Sequence, residues 1–559
     1  MSYRVRIYRS GAFICEAEGA PGETLHQCMC AAGALIDAPC GGNGICGKCL
    51  VRLSPGGGQA LACRTIIADD MDVYLPDEPE MIIADTVECA KAVPMPANAL
   101  SSSPSSHLPA CALHLGAAHP GAVHPGAAHL GAAVDIGTTT VVAQLTDIET
   151  GNRIATASAA NAQRAYGADV ISRINYCSAN GHAPLTKLIR EQIASLISQA
   201  CAESGKCPGD VRAISIAGNT VMQHLAAGYS PVGMGVAPYA AVSLFGCELP
   251  AWEGSPVNGD AKIYYAPAIA SYVGGDVTAG MLASGLVDEP GPTIYLDIGT
   301  NGEIVLKAGG TYYCCATAAG PAFEGAEISM GMAAVDGAID HVKWDGGLKL
   351  SVIGGKEPRG LCGSGLLDAL AVLLETGAVD ESGRLLDRKK IEHGIAKHIE
   401  KTGGNSLGGN STGGNPLDGN STGGANMFRL SHGSGGVRIT AQDIRKLQLA
   451  KAAIAAGIQT LLRHVGIKEE QVSALILAGG FGSFMDKCSA ARIGLFPESF
   501  LPITKTVGNA AGEGAAQALC SESARAALED IRNRCRYIEL SANPVFNEQF
   551  VEQMIFRSC

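Results

Sequence analysis

Three cysteines fall within ten residues, in the stretch Cys40-Gly-Gly-Asn-Gly-Ile-Cys-Gly-Lys-Cys49, and a fourth follows at Cys63. Four thiolates are what a [2Fe–2S] cluster needs, two at each iron. A tight loop can wrap such a cluster only where its backbone adopts positive φ, and the four glycines between the cysteines suit that demand. Their N–H groups would donate to the sulfurs and tune the potential. The predicted metal ligands are Cys40, Cys46, Cys49 and Cys63.

Zinc is the alternative metal for four cysteines. Zinc ribbons usually present two Cys-x2-Cys pairs, whereas this chain has one pair and two single cysteines. The pattern resembles those of plant-type and vertebrate-type ferredoxins, and departs from them at Cys63, which follows Cys49 after only 13 intervening residues. A second nearby pair, Cys28 and Cys30, lies in the helix-like TLHQCMCAAGAL, where we expect packed thiols.

Two stretches with a common layout predict phosphate binding. Each reads strand, acid, glycine turn, hydroxyl residues, strand: AAVDIGTTTVVAQL contains Asp135, and YLDIGTNGEIVL contains Asp297. Such a turn exposes backbone N–H groups and hydroxyls to a phosphate, and the acid ending the strand can hold Mg²⁺, usually through water. A single hairpin of this kind would match an ordinary buried Asp-Gly turn, but two in one chain are strong evidence for phosphate binding. The predicted phosphate-binding residues are Gly137, Thr138, Thr139, Thr140, Gly299, Thr300, Asn301 and Gly302.

A third element, LILAGGFGSF, runs from a predicted strand into a glycine-rich turn. Together with the two hairpins it resembles the superfamily of acetate and sugar kinases, heat-shock chaperones and actin. That fold clamps ATP between two lobes, with one phosphate hairpin in each. The resemblance implies that adenosine packs against the bare backbone of Gly479 and Gly480.

The superfamily resemblance also implies roles for three acids. Asp135 and Asp297 would organise Mg²⁺, and Glu303 would orient the attacking water. The small-residue stretches VGGDVTAG (273–280) and VGNAAGEGAA (507–516) fit the connecting helices of that fold. A degenerate fold that binds no nucleotide is the alternative.

Composition bounds the class of protein. The chain of 559 residues is too long to form a single domain with one hydrophobic core, since a domain averages roughly 150 residues. A content of 47% hydrophobic and 17% charged residues is typical of a soluble globular protein, and the net charge of −12 argues against nucleic acid as a partner. The N-terminus has no apolar signal-peptide core, and no apolar run reaches membrane-spanning length. We therefore expect a cytoplasmic protein without a membrane partner, whose 20 cysteines are mostly reduced thiols or metal ligands.

The chain divides into four predicted parts. Strand-like YRVRIY, CLVRL and DVYLP indicate a β-grasp-like α+β ferredoxin-type domain over residues 1–80. A linker over 81–131 contains a five-residue repeat with histidines at 114, 119, 124 and 129, whose Pro-Gly punctuation prevents a fixed ligand geometry. Alternating strands and helices then predict a two-lobed α/β actin-like ATPase fold, with lobes over 132–288 and 289–559. A Gly/Asn-rich insertion over 403–426 cannot bury enough apolar surface to fold.

A ferredoxin-type unit, a linker and an ATP-clamping fold in one chain resemble the ATP-dependent reductive activators of corrinoid proteins. The resemblance covers nearly the whole chain, apart from the histidine repeat and the Gly/Asn insertion. It implies that an electron passes from the cluster to the inactive cobalt(II) corrinoid of a methyltransferase system, regenerating cobalt(I) with the help of ATP. It also implies a low-potential electron donor and a homodimer. Further supporting strings are NAQRAYGADVISRI (161–174), GNTVMQHL (218–225), ATAAGPAFEGAEISMGM (316–332), LCGSGLLD (361–368) and ITAQDIRKLQLAKAAI (439–454).

Two other functions remain open at this level. The chain could be an ATP-coupled activator of another low-potential metalloenzyme, or a plain iron–sulfur electron carrier whose actin-like domain serves for docking. A small-molecule kinase is disfavoured, because phosphoryl transfer needs no electrons. Glu324 and Glu327 fit either a contact with the corrinoid partner or a structural role. Cys314, Cys315 and Cys362 are expected to be buried thiols.

Overall fold

The computed structural model describes residues 2–44, 46–54, 58–76, 130–325, 327–391, 394–401, 426–431 and 436–556. Nearly all of the expected linker, with its histidine repeat, and of the Gly/Asn-rich insertion lies outside these ranges. Within them, none of the helices combines the length and the apolar character that crossing a membrane requires. The seventeen cysteines among the described residues are all free thiols.

The N-terminal part is a five-stranded mixed sheet covered by one helix, with the strand order β2-β1-β5-β3-β4. Its hydrophobic core includes Val5, Ile7, Leu25 and Met29, which the alternation of β1 and the inner face of α1 direct inward. The expected ferredoxin-type α+β domain and its three predicted strands are confirmed. Its elements are β1 (Tyr3–Arg9), β2 (Ala12–Gly19), α1 (Leu25–Ala31), β3 (Leu50–Ser54), β4 (Gln59–Leu61) and β5 (Met71–Leu75).

The next part is a six-stranded sheet in the order β10-β11-β9-β6-β7-β8. β6 pairs antiparallel with β7 and parallel with β9, and β9 is parallel to β11. β6 begins at Leu130, two residues before the expected start of this lobe. The elements are β6 (Leu130–Ile136), β7 (Thr140–Asp147), β8 (Arg153–Ala160), α2 (Val170–Asn180), α3 (Ala183–Glu203), β9 (Val211–Gly218), α4 (Thr220–Ala227), β10 (Cys247–Pro250), β11 (Lys262–Tyr265) and α5 (Gly275–Ala283).

The last part repeats this layout in a sheet of order β23-β14-β13-β12-β21-β22, to which two small three-stranded sheets are added. The described elements are β12 (Thr293–Ile298), β13 (Gly302–Ala308), β14 (Thr311–Thr317), β15 (Ala338–Trp344), β16 (Leu348–Val352), β17 (Gly360–Leu361), α6 (Gly363–Glu375), β18 (Ile399–Lys401), β19 (Asn426–Arg429), β20 (Arg438–Thr440), α7 (Ala441–Val465), β21 (Ala474–Ala478), α8 (Gly479–Phe484), α9 (Lys487–Arg492), β22 (Thr504–Thr506), α10 (Ala510–Cys520), α11 (Glu522–Arg534), β23 (Cys535–Tyr537) and α12 (Pro544–Glu552). The repetition confirms the two-lobed actin-like fold.

Local sequence explains the long helices and buried strands. α7 starts at a capping box in which the Thr440 hydroxyl accepts from the Asp443 amide, and it ends at Gly466 with φ of 76°. β21, with the sequence ALILA, is buried at every position, as expected of a parallel strand covered on both faces.

Two helices interlock the lobes. α5 precedes the expected boundary at residue 288, yet it packs on the second sheet, against Tyr295 and Ile476. α10 lies far beyond that boundary and packs on the first sheet, against Ala133 and Ala217. A Cβ atom on Gly514 of α10 would lie 2.1 Å from the Ala279 carbonyl oxygen, so only glycine permits this close approach.

The ferredoxin-type domain docks on both lobes. The Ala168 amide donates to the Pro39 carbonyl at 3.0 Å, and the Arg164 guanidinium pairs with Asp37 at 2.9 Å. On the second lobe, the Gly331 carbonyl accepts from the Lys48 ammonium at 3.1 Å. The cysteine-rich stretch therefore lies against both halves of the actin-like fold.

Candidate functional site

The four predicted cysteine ligands come together as two pairs. The sulfurs of Cys49 and Cys63 are 3.1 Å apart, and Cys40 and Cys46 share a side-chain hydrogen bond. Burial and the neighbouring Cys49 raise the pKa of the Cys63 thiol to about 12. Burial also raises the pKa of Cys46. A bound cation would reverse these shifts, because metals bind the deprotonated thiolate.

The glycines around these sulfurs have the backbone conformation that the sequence predicts. All four have positive φ, between 61° and 84°. A Cβ atom on Gly42 would lie 2.8 Å from Nδ1 of His26, so a side chain there would also clash. We call residues 40–44 and 46–49 the cysteine loop. The glycines are Gly41, Gly42, Gly44 and Gly47.

The paired sulfurs suit the cluster that the sequence predicts. A cluster with two irons takes two thiolates at each iron, and Cys49 with Cys63 and Cys40 with Cys46 form two such pairs. A zinc ion would instead take all four thiolates around a single centre.

The other cysteines lie away from this arrangement. Cys28 is buried on α1, and burial raises its pKa to about 11. Cys30 lies on the same helix, half-buried, with its sulfur 3.7 Å from Nε2 of His26. Cys314, Cys315 and Cys362 are buried as predicted. These thiols belong to the packing of the domains.

Each predicted phosphate hairpin is closed by a hydrogen bond from its first glycine amide. The Gly137 amide donates to the Thr140 carbonyl, and the Gly299 amide donates to the Asn301 carbonyl, each at 2.9 Å. The turns follow β6 and β12, which occupy equivalent positions in the two sheets. The duplicated fold thus places one hairpin in each lobe at the cleft.

Individual hairpin side chains differ in what they contact. Thr138 is buried, and its hydroxyl accepts from Nδ2 of Asn219 at 3.0 Å, so it braces the first hairpin. The Thr139 and Thr300 hydroxyls both donate to the carboxylate of Glu324. The cleft hydroxyls are therefore those of Thr139 and Thr300.

The glycine turn after β21 has two distinct positions. Gly479 has φ of 84°, and a Cβ atom there would lie 2.5 Å from Oδ1 of Asp297. No atom lies within 4 Å of the Cβ position at Gly480. Gly479 thus lets the turn approach the acid, while Gly480 leaves open space beside the backbone.

Four acids share the cleft floor, and each lies in surroundings that disfavour its charge. Burial and the charge of Asp297 raise the pKa of Asp135 to about 7, and burial raises the pKa of Asp297 to about 6. Burial and the neighbouring aspartates also raise the pKa values of Asp276 and Glu303. Carboxylates that repel one another in this way are stabilised by a divalent cation. Two of them, Asp135 and Asp297, are the predicted Mg²⁺ ligands, and one or two carboxylates completed by waters are what this ion usually takes.

Sequence reasoning missed two cleft residues, Asp276 and Asn509. Asp276 lies in the first turn of α5, and Asn509, the N-cap residue of α10, donates a hydrogen bond that lowers the pKa of Asp135. Both lie in stretches that the sequence marked only as small-residue connecting helices. Glu324, for which the sequence left a partner contact or a structural role open, accepts hydrogen bonds from both hairpins, in agreement with a structural role.

The pKa shifts predict how metal binding depends on pH. Asp135 and Asp297 must lose their protons to hold Mg²⁺, so affinity is complete above their raised pKa values and falls as the pH drops through about 7 to 6. We expect the affinity for Mg²⁺ with a non-hydrolysable ATP analogue to fall by about tenfold per pH unit between about pH 7 and 6, where one proton must leave, and by about a hundredfold per pH unit below about pH 6, where two must leave. Calorimetry in buffers of different ionisation enthalpy measures both the affinity and the protons released. A titration without magnesium corrects for the nucleotide's own phosphate, and a pH-independent corrected affinity would contradict the assignment.

The fold defines a two-lobed actin-like ATPase domain joined to a ferredoxin-type N-terminal domain. Profiles of two families match the chain: the RACo middle region over residues 130–289, and the C-terminal ASKHA domain of RACo over residues 291–405 and 421–558. The chain belongs to the RACo family of reductive activators of corrinoid proteins. The resemblance drawn from the sequence is confirmed.

Several individual proteins are similar along the chain. Corrinoid activation enzyme RamQ of Eubacterium limosum is 30% identical, with 96% of each chain covered. The [Co(II) methylated amine-specific corrinoid protein] reductase of Methanosarcina barkeri is 25% identical, with 65% of each covered. A solved structure described as a reductive activator for corrinoid, iron–sulfur protein is 31% identical with a TM-score of 0.67, covering 99% of this chain and 98% of that one.

Proposed function

We propose that this activation enzyme uses Mg-ATP to drive one electron from a [2Fe–2S] cluster onto the inactive cobalt(II) form of a corrinoid protein, regenerating cobalt(I). The observation that carries the proposal is the docking of the paired-sulfur loop on both lobes of a nucleotide-clamping fold. Pro39 directly precedes the cysteine loop, and its carbonyl accepts from the Ala168 amide of the first lobe. Lys48 lies within the loop and donates to the Gly331 carbonyl of the second lobe.

The redox step explains why nucleotide is needed. When bound by the four sulfurs, a plant-type [2Fe–2S] cluster supplies one electron at roughly −400 mV. Each ~59 mV by which a one-electron transfer is uphill lowers its equilibrium constant tenfold. Cobalt(I) formation requires a very low potential, so a second source of free energy is required. Nucleotide supplies it only where two conformations of the chain bind it with different affinity.

In the proposal, the two conformations differ in how the lobes close on the nucleotide. The hairpin hydroxyls of Thr139 and Thr300 belong to different lobes, so a phosphate that contacts both holds the lobes together. Asp135 and Asp297 would hold Mg²⁺ at the cleft floor, while Asn301 hydrogen-bonds Glu303 and orients its carboxyl group. α5 and α10, which cross between the lobes, are the elements that transmit closure.

The partner class follows from the relatives' names. The Methanosarcina barkeri relative is named for a methylated amine-specific corrinoid protein, so the corrinoid protein of a methylated-amine methyltransferase system is the first partner to test. A low-potential donor protein would re-reduce the chain. An ATP-coupled activator of a different low-potential metalloenzyme is the second candidate, since the cysteine loop and the cleft would serve it equally.

An anaerobic assay tests the proposal. Chemically reduced protein is mixed with a cobalt(II) corrinoid protein, and cobalt(I) is followed by visible absorbance with and without Mg-ATP. We expect cobalt(I) only when Mg-ATP is present. An intact cluster spectrum with no effect of ATP on any corrinoid protein would overturn the proposal and favour the passive-carrier alternative.

A further inference from the structure

Glu324 lies where the two phosphate hairpins face each other. Its carboxylate accepts hydrogen bonds from the hydroxyl of Thr139 in the first lobe and, at 2.9 Å, from that of Thr300 in the second. These two hydroxyls are the ones that the hairpins direct into the cleft. A carboxylate there bridges the lobes in the way a phosphate group would.

Two anions cannot accept from the same pair of hydroxyls at once, because each donates one proton and like charges repel at contact distance. We propose that the Glu324 carboxylate and the terminal phosphate of the nucleotide are alternative acceptors for Thr139 and Thr300, and that exchanging one for the other controls the docking of the ferredoxin-type domain. The inference rests on the proposed nucleotide function and adds the residue that couples it to the iron–sulfur unit.

Two glycines flank the short turn that carries Glu324. Gly320 and Gly325 have φ of 77° and 73°. Phe323 is fully buried and packs on Phe481, with ring centroids 5.1 Å apart, so it anchors the turn. In the proposed exchange, the Glu324 side chain and the backbone at Gly320 rotate away from the hairpins while Phe323 stays in place.

The same stretch of chain reaches the cysteine loop. We call residues 320–325 and 327–332 the Glu324 segment. Its far end presents the Gly331 carbonyl, which accepts from the Lys48 ammonium at 3.1 Å. Lys48 lies between the predicted ligands Cys46 and Cys49. A shift of the Glu324 segment therefore moves the backbone that carries these two cysteines.

A second connection runs through the first lobe. The buried Arg173 donates to the Thr138 carbonyl of the first hairpin and, at 3.0 Å, to the Gly167 carbonyl. The following Ala168 amide donates to the carbonyl of Pro39, next to the cysteine loop, at 3.0 Å. Both hairpins are thus joined to the docked domain by continuous contacts, and one acid holds them together.

Nucleotide affinity of the full-length protein gives the first test. Glu324→Gln keeps the size of the side chain and removes the charge that competes with phosphate, so we expect it to tighten binding of a magnesium-bound, non-hydrolysable ATP analogue by about tenfold. Glu327→Gln is the matched control: Glu327 lies in the same segment, pairs with Lys446 at 3.8 Å, and should leave the affinity within about twofold. Weaker binding by Glu324→Gln would make the acid a metal or water ligand and overturn the inference, as would no change.

Hydrogen exchange gives the second test, in the same samples and without corrinoid protein. The nucleotide analogue should speed exchange in peptides covering 36–44 and 163–170 of the wild type, and Glu324→Ala should do so without nucleotide. Because coupling is reciprocal, Lys48→Met should also tighten nucleotide binding from outside the cleft. Unchanged exchange in wild type with bound nucleotide would overturn the coupling. Failure of cobalt reduction with these responses intact would instead overturn only the proposed function.

Discussion

A Cys49→Ser variant is expected to lose its [2Fe–2S] absorbance and to form cobalt(I) at the background rate, with or without Mg-ATP. The sulfur of Cys49 lies 3.1 Å from that of Cys63, so the substitution removes one member of a ligand pair. Removing a group that only supports a metal ligand already lowers metal affinity or activity by about 10- to 100-fold, and removing the ligand itself should lower it further. Anaerobic absorbance spectra, iron content and the cobalt assay measure the effect together.

Cys15→Ser is the matched control for this variant. Cys15 is a half-buried free thiol on β2 of the same domain, outside the two sulfur pairs. It should retain iron, spectrum and activity. Full iron content in Cys49→Ser, together with loss of iron in Cys15→Ser, would contradict the ligand assignment.

An Asp297→Asn variant is expected to lose ATP-dependent cobalt reduction by about 100-fold or more, the scale of removing a preorganised electrostatic group from an active site. The amide preserves the size of the side chain but cannot supply the negative charge that holds Mg²⁺. The [2Fe–2S] spectrum should be unchanged, because the cysteine loop lies in a different domain. Nucleotide affinity, ATP hydrolysis and cobalt(I) formation are the measurements.

The same substitution should stabilise the metal-free protein. A raised carboxyl pKa means that the native state binds more protons than the unfolded state, so stability falls as pH rises from about 4 to 6 and stays low above that range. With the pKa of Asp297 raised from 3.8 to about 6, a permanently neutral side chain should recover roughly 3 kcal/mol at pH 8. A higher Tm with lower activity is therefore the expected signature.

Asp336→Asn serves as the control for Asp297→Asn. Asp336 is an exposed carboxylate that pairs with Lys356 at 2.6 Å. The cleft acids, in contrast, are buried. Activity and Tm should both stay close to wild type, since exposed ion pairs contribute about 0–1 kcal/mol. If Asp297→Asn kept full ATP-dependent activity, the magnesium assignment would be wrong.

Local features were predictable because their physics is local. The strand β1 follows from the alternation in YRVRIY, and the positive φ of Gly41 and Gly42 follows from a tight loop between ligands. The two hairpins were recognisable because each places acid, glycine and hydroxyl residues within a few positions of one another. Duplication of that pattern then predicted the duplicated sheet.

Residues that function through distant partners could not be found in this way. Glu324 meets a threonine 185 positions earlier, and no periodicity or spacing links the two. Asp276 and Asn509 were hidden in helices whose small residues signalled packing, and only the crossing of α5 and α10 brings their side chains to the cleft. Gly479 proved to be a close neighbour of Asp297, because β21 lies directly beside β12.

The sequence by itself determined the chemistry of this protein: three thiols in a glycine loop with a fourth at Cys63, two acid-tipped phosphate hairpins and the order in which they occur. Those properties depend on covalent spacing and on backbone conformations that glycine alone adopts readily. The tertiary structure decided which groups meet. The cleft acids are buried beside one another, and this raises their pKa values. Glu324 joins the two lobes. The docked ferredoxin-type domain brings Lys48 to Gly331. All of these contacts join segments that are distant in the chain and meet only when the lobes are packed.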